Sequence, residues 1–237
     1  MTLEAPRRRS AGFLIAITIA AAMAVGGLAS LGVWQLHRLS WKRDLIAKVG
    51  SRVHATPVPA PSSAGPDDAY RRVMASGHFL HDRATLVQAS TARGAGFWVL
   101  TPLQTDRGFT LLVNRGFVPP EARTRYARPE GSIQITGLMR LTEPGGGFLR
   151  SNDPAANRWY SRDVSAIASA RRFQAPVANY FIDAEQGEPD ALPAGGLTVL
   201  TFPNSHLSYA LTWFALAALV AGGYIVVMRH EWKERRG

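Results

Sequence analysis

The sequence predicts a membrane protein: two terminal transmembrane α-helices flanking an antiparallel β-rich domain, α+β in class, with a sheet able to close into a partial barrel. Three observations predict it. Two blocks, Ser10 to Leu36 and Leu207 to Met228, contain no formally charged residue. At 1.5 Å per residue, each is long enough to cross the roughly 30 Å hydrocarbon layer as a helix. Between them lie short runs rich in Val, Leu, Thr, Ile and Phe, separated by turn clusters, which is the texture of strands.

The first block follows Arg7, Arg8 and Arg9, as a secretion signal does. Its apolar run exceeds the roughly 7–15 residues of a cleaved signal, so it reads as a retained span. A glycolipid anchor does not fit the other end, because the tail is the charged HEWKERRG. The reading therefore divides the chain into a cytoplasmic N-terminus at 1–10, a first span at 11–36, and a helical extension with a Pro-rich linker at 37–69. A β-rich extracytoplasmic domain at 70–203, a second span at 206–228 and a cytoplasmic tail at 229–237 complete it.

Beyond the first span, WQLHRLSWKRDLI keeps helical spacing. Trp34, Arg38, Trp41 and Leu45 form one stripe of a 3.6-residue helix, with the tryptophans at the interfacial belt. HATPVPAPSSAGPDDA then holds four prolines, Pro57 to Pro66, and reads as irregular chain. The segments YRRVMASGHFL, ATLVQAS, GFWVLTPLQT, FTLLVNRGFV and SIQITGLMRL read as strands. A hairpin tip falls at Asp106-Arg107-Gly108. DVSAIASARRF is the one helix expected inside the domain, with Asp163 near its start. VANYFIDA and LTVLTF are expected to be the closing strands.

Charge gives orientation. Arg229, Lys233, Arg235 and Arg236 follow the second span, whereas no Lys or Arg lies between Arg172 and Arg229. Both termini are expected to be cytoplasmic, with the long intervening domain translocated. The net charge of +10 raises a nucleic-acid reading, but 20 of the 27 basic residues fall in residues 37–206, against 14 acids. That places them outside, where a solvated surface beside anionic lipid accounts for them, so no nucleic-acid partner is expected and the lipid bilayer is. Only Lys42, Lys48 and Lys233 are lysine; this arginine bias and the lack of a long transit peptide point to a bacterial plasma membrane.

The 237 residues contain no cysteine, which excludes disulfides, thiolate metal sites and thiol redox chemistry. No GxSxG elbow, GxxxxGK[ST] phosphate loop or HExxH pair occurs, so no enzyme is expected. His78, His81 and Asp82 lack the second pair that a zinc site needs. Attention falls instead on NSHLSYALTWF. His206, Tyr209 and Trp213 fall within an arc of about 60° on a helix, level with Trp34, His37 and Trp41 at the exit of the first span. Imidazole with aromatic walls suits a haem, while an aromatic belt with a solvated histidine is the plainer account of the same residues.

The phrases LGVWQLHRLSWKRDLI, YRRVMASGHF, VNRGFVP and NSHLSYALTWF, in this order between two terminal spans, resemble the Surfeit-locus-one (Shy-type) family of cytochrome c oxidase assembly factors. The resemblance implies a factor that binds haem A and assists its insertion into oxidase subunit I. Its partners would be cytochrome c oxidase subunit I and haem A synthase. It implies His206 as the candidate ligand to the haem iron, with Tyr209 and Trp213 beside it. Trp34, Arg38, Trp41 and Lys42 match the family's first motif, and Arg38 is a candidate partner for a haem propionate. A scaffold that binds nascent oxidase subunits without carrying haem is the alternative.

Overall fold

The computed structural model describes residues 9–147, 149–174 and 176–236. It separates into two compact units, one holding the chain up to Ala47 and from Thr201 onward, the other Lys48–Leu200.

The first unit is a helix pair. Helix α1 runs unbroken over Ala11–Val53, so the predicted span and its extension are one helix of 43 residues. It ends just ahead of Thr56-Pro57, where the residue before a proline is pushed out of the α region. Helix α3, the last of three, covers His206–Arg236. Both are long and apolar enough to cross a membrane.

The second unit is built on nine strands and one short helix. The strands are β1 (Val58–Pro59), β2 (Arg72–Phe79), β3 (Thr85–Thr91), β4 (Gly94–Thr105), β5 (Thr110–Val118) and β6 (Ser132–Leu141). The small pair β7 (Gly146–Gly147) and β8 (Arg150–Ser151), helix α2 (Val164–Ala170) and β9 (Val177–Ala184) follow. The large sheet has the order β1-β2-β6-β9-β5-β4-β3. A further antiparallel pairing joins β2 to β4 at Gly77–Phe79, so β2, β6, β9, β5 and β4 form a ring with β1 and β3 outside it. Most pairings are antiparallel; β5 with β9 and β1 with β2 are parallel.

Alternation along the central strands explains the ring. Leu111 and Val113 of β5, Tyr180 and Ile182 of β9, Val73 of β2 and Met139 of β6 share one core cluster. Leu112 and Phe181, on the opposite faces of the same strands, pack with Leu100, Trp159 and Ile167 in a second cluster beneath α2. Strands buried on both faces read as continuous apolar runs, which is why FTLLV and YFI lack polar alternation. Asp163 caps α2, its side chain accepting from the Ala166 amide at 3.0 Å. At the β4–β5 hairpin Gly108 has φ +83°, beyond the easy reach of a side-chain-bearing residue.

Two expectations change. The Pro-rich segment is not slack chain: Val58 and Pro59 pair with Val73 and Met74, Ala60 is buried, and the Pro61 carbonyl accepts from the Tyr180 hydroxyl at 2.6 Å. LTVLTF, expected as a closing strand, is not one. Ala194 makes an isolated bridge to Phe117, and residues 195–205 then run without regular structure. Thr198 gives its hydroxyl to Asp183 at 3.0 Å, so this segment is tied by a side chain where a strand would use its backbone. Strand β9, whose Asp183 it meets, already has β5 on one side and β6 on the other and offers this segment no free edge.

Candidate functional site

In the helix pair, α1 presents Leu14, Ile17, Ala21, Val25, Leu28, Gly32, Gln35, Leu39 and Lys42 as its shielded positions. Steps of three and four mark the seam of a left-handed antiparallel pair. Contacts along it fix the register. Arg9 meets Glu231 at 3.0 Å, the Thr18 hydroxyl meets the Tyr224 hydroxyl at 2.9 Å, and Lys42 donates to the Pro203 carbonyl. At Gly32 the helices nearly touch: a Cβ there would lie 2.7 Å from the Phe214 ring.

His206 sits on this seam. Its Nδ1 lies 2.8 Å from Gln35 Oε1, and its backbone amide donates to Asn204 Oδ1 at 3.4 Å. An amide oxygen can only accept, so in this contact Nδ1 is the donor, which in the neutral ring leaves the lone pair on Nε2. Trp213, two turns on, is half-buried beside Phe214, whereas Tyr209 is 54% exposed.

Of the first-motif residues, Lys42 lies on the seam, whereas Trp34, Arg38 and Trp41 occupy a different face. Trp34 is 55% exposed and Trp41 52%, on the stripe that also carries Arg38 and Leu45. The Arg38 guanidinium stacks on the Trp41 ring at 4.4 Å from its centroid. Sequence spacing thus found a genuine stripe, but it is not the face that meets His206. Gln35, one residue from Trp34, is the side chain that does. It was missed, although it is the only amide side chain between Ser10 and Leu36 and so stands out in the apolar block.

The β unit holds a second polar cluster, which the sequence reading also missed. Asp183, 5% exposed, accepts at Oδ1 from Asn114 (2.8 Å) and Arg162 (3.2 Å), and at Oδ2 from Arg140 (2.8 Å) and Thr198 (3.0 Å). Arg162 also grips Glu143 through two nitrogens at 2.6 and 3.0 Å and lies over the Phe181 ring. Burial alone would lower the Arg162 pKa, but its hydrogen bond to Glu143 and the charges of Asp183 and Glu143 raise it. Two guanidinium groups face two carboxylates, and all four Asp183 contacts are made. The cluster closes its own charge, which is the pattern of a structural network. Among the described residues, His78 and His81 belong to no group of three metal-ligating side chains, and His81 Nε2 lies 2.8 Å from the Pro129 carbonyl.

The VNRGF phrase has a structural cause. Gly116 has φ +131°, and a Cβ there would fall 2.2 Å from the Ala194 carbonyl oxygen, where the chain crosses toward α3. Asn114 takes the Gly116 amide at 3.2 Å while giving its own amide to Asp183.

A model described as the SURF1 family matches residues 22–218, from within α1 through the barrel into α3. Surfeit locus protein 1 of Homo sapiens is 39% identical over 217 residues, covering 79% of this chain and 69% of that protein. Surfeit locus protein 1 of Xenopus tropicalis is 35% identical over 213 residues, with 80% and 68% covered. A SURF1-like protein of Monosiga brevicollis is 35% identical over 221 residues, with 84% and 82% covered. The matched span carries most of α1, the whole ring of strands and the first part of α3, and on that extent the chain belongs to the SURF1 family.

Proposed function

We propose that this chain is a membrane-anchored assembly factor for cytochrome c oxidase that takes haem A as cargo and assists its insertion into oxidase subunit I. Family membership supports the oxidase role. The observation that supports the haem reading is the seam histidine: Gln35 holds the Nδ1 proton of His206, which leaves Nε2 free to ligate. Iron-binding histidines are commonly oriented by such an acceptor on their other ring nitrogen. Trp213 and Tyr209, on the same side of α3, supply flat apolar surface for a porphyrin. Haem A synthase is the donor in this scheme and subunit I the recipient. A single imidazole at a helix end binds cargo while leaving it free to depart.

Both termini face the cytoplasm in this proposal, and the β unit lies on the other side of a bacterial plasma membrane. The deciding experiment is an absorption spectrum of the full chain, purified with and without co-expressed haem A synthase. Haem A should co-purify with the first preparation and be lost from His206→Ala at equal membrane abundance. Protein free of haem under co-expression, yet still bound to oxidase subunits, would establish the scaffold instead.

A further inference from the structure

At the end of the helix pair away from His206 lies a groove of about 430 Å³. Its wall is apolar: Leu14 from α1, with Tyr224, Ile225 and Met228 from α3. Past the last uncharged turn, Arg229, Trp232 and Arg235 also line it. The acid beside them does not oppose an anion, because Glu231 is 6% exposed and paired with Arg9 at 3.0 Å. Arg235 is held across to α1 by donating to the Arg9 carbonyl at 3.1 Å. Among the described residues, Arg229 has no ion pair or hydrogen bond. The groove therefore combines hydrocarbon walls, two guanidinium groups, a neutralised carboxylate and an indole.

We propose that this groove is a binding site for an anionic phospholipid, with an acyl chain along Leu14 and Ile225 and the headgroup phosphate at Arg229 and Arg235. The inference rests on the two helices spanning a membrane, and not on the haem reading. Charge complementarity selects the headgroup: counting Arg9, Arg229 and Arg235 against Glu231, the site carries a surplus of positive charge. Basic pockets between membrane helices on the cytoplasmic side hold anionic headgroups by the same physics. The apolar wall selects a lipid over free phosphate, since inorganic phosphate has nothing to place against Leu14 and Ile225.

The test is native mass spectrometry of the full chain in detergent, with phosphatidylglycerol and phosphatidylcholine supplied in equal amounts. Phosphatidylglycerol should be retained preferentially, and excess inorganic phosphate should not displace it. Each arginine removed, Arg229→Gln or Arg235→Gln, should lower retention about fivefold. Ile225→Trp should lower it with every charge intact. Lys233→Gln, basic but outside the groove, should lower it less than Arg229→Gln does. Equal retention of the two lipids overturns the proposal, as does an unchanged Arg229→Gln/Arg235→Gln variant. An equal effect from Lys233→Gln does so too, since it would reduce binding to diffuse charge. Recovery of each variant in the membrane fraction reports on the spans, and its haem content on His206, so failure of either reading is seen separately.

Discussion

His206 separates two accounts of the same residue by what surrounds its ring. A solvated histidine in an aromatic belt needs no acceptor, whereas this one has Gln35 Oε1 at 2.8 Å from Nδ1. Gln35→Leu removes that acceptor while keeping the bulk. If Gln35 orients a ligating imidazole, Gln35→Leu should retain protein abundance but shift the haem spectrum and lower haem content, by the roughly 10–100-fold typical of losing such a partner. Gln35→Glu should restore it, because a carboxylate also accepts from Nδ1–H. Equal spectra in all three proteins would make the contact mere helix packing. Asp183 offers a contrasting case, since its carboxylate is committed to Asn114, Arg140, Arg162 and Thr198. Asp183→Asn leaves two largely buried guanidinium groups with only Glu143 to balance them. Loss of one partner from a buried ion pair costs about 3–5 kcal/mol. The variant should therefore unfold at lower temperature in a thermal melt of the full chain, with no change in haem spectrum for the folded fraction. The sequence showed His206 because a ring at the mouth of an apolar span is conspicuous. It hid Asp183, whose partners come from four separate segments brought together only by the ring of strands.

The strands of the β unit were legible wherever a run of apolar and β-branched residues was bounded by turn residues. VANYFIDA and SIQITGLMRL coincide with β9 and β6 residue for residue. LTVLTF has the same texture yet forms no strand, because pairing depends on a free neighbouring edge, which no local pattern records. The tryptophan stripe on α1 is a true face of the helix, but it is not the one that carries Gln35. Periodicity gives the faces of a helix, but not which face meets a partner, and here the small and mid-sized residues do so. Gly32 marks the closest approach, with Phe214 filling the space a side chain would need. Gly32→Leu should push the helices apart. Thiol cross-linking can measure this cleanly, because the chain has no native cysteine. A Thr18→Cys/Tyr224→Cys protein should cross-link efficiently with a short bismaleimide, and adding Gly32→Leu should reduce that several-fold. Unchanged cross-linking would mean that the seam tolerates the extra volume or runs elsewhere.

At the scale of the whole molecule, connectivity and charge bear on one question, the sidedness of the chain. The seam contacts pair Arg9 with Glu231 and Lys42 with Pro203, so the start of α1 lies beside the end of α3. Two antiparallel spans put both chain ends on one side of a membrane and the segment between them on the other. The orientation proposed above rests on the basic flank: Arg229, Lys233, Arg235 and Arg236 crowd the end of α3, and the stretch before α3 is free of Lys and Arg back to Arg172. Positive flanks stay cytoplasmic. A reporter active only outside the cytoplasm should therefore work when inserted in the exposed loop at 186–190 and fail at the C-terminus, and a reporter active only in the cytoplasm should give the reverse. Replacing the four basic residues after α3 with Gln removes the retention signal, so mixed activity at the C-terminus is expected in that variant. If the unaltered chain is already active outside at its C-terminus, α3 does not cross as a span in the expected direction. The β unit ends six residues before His206, so a reversed α3 would put both on the cytoplasmic side and remove the extracytoplasmic site through which the proposed factor would act.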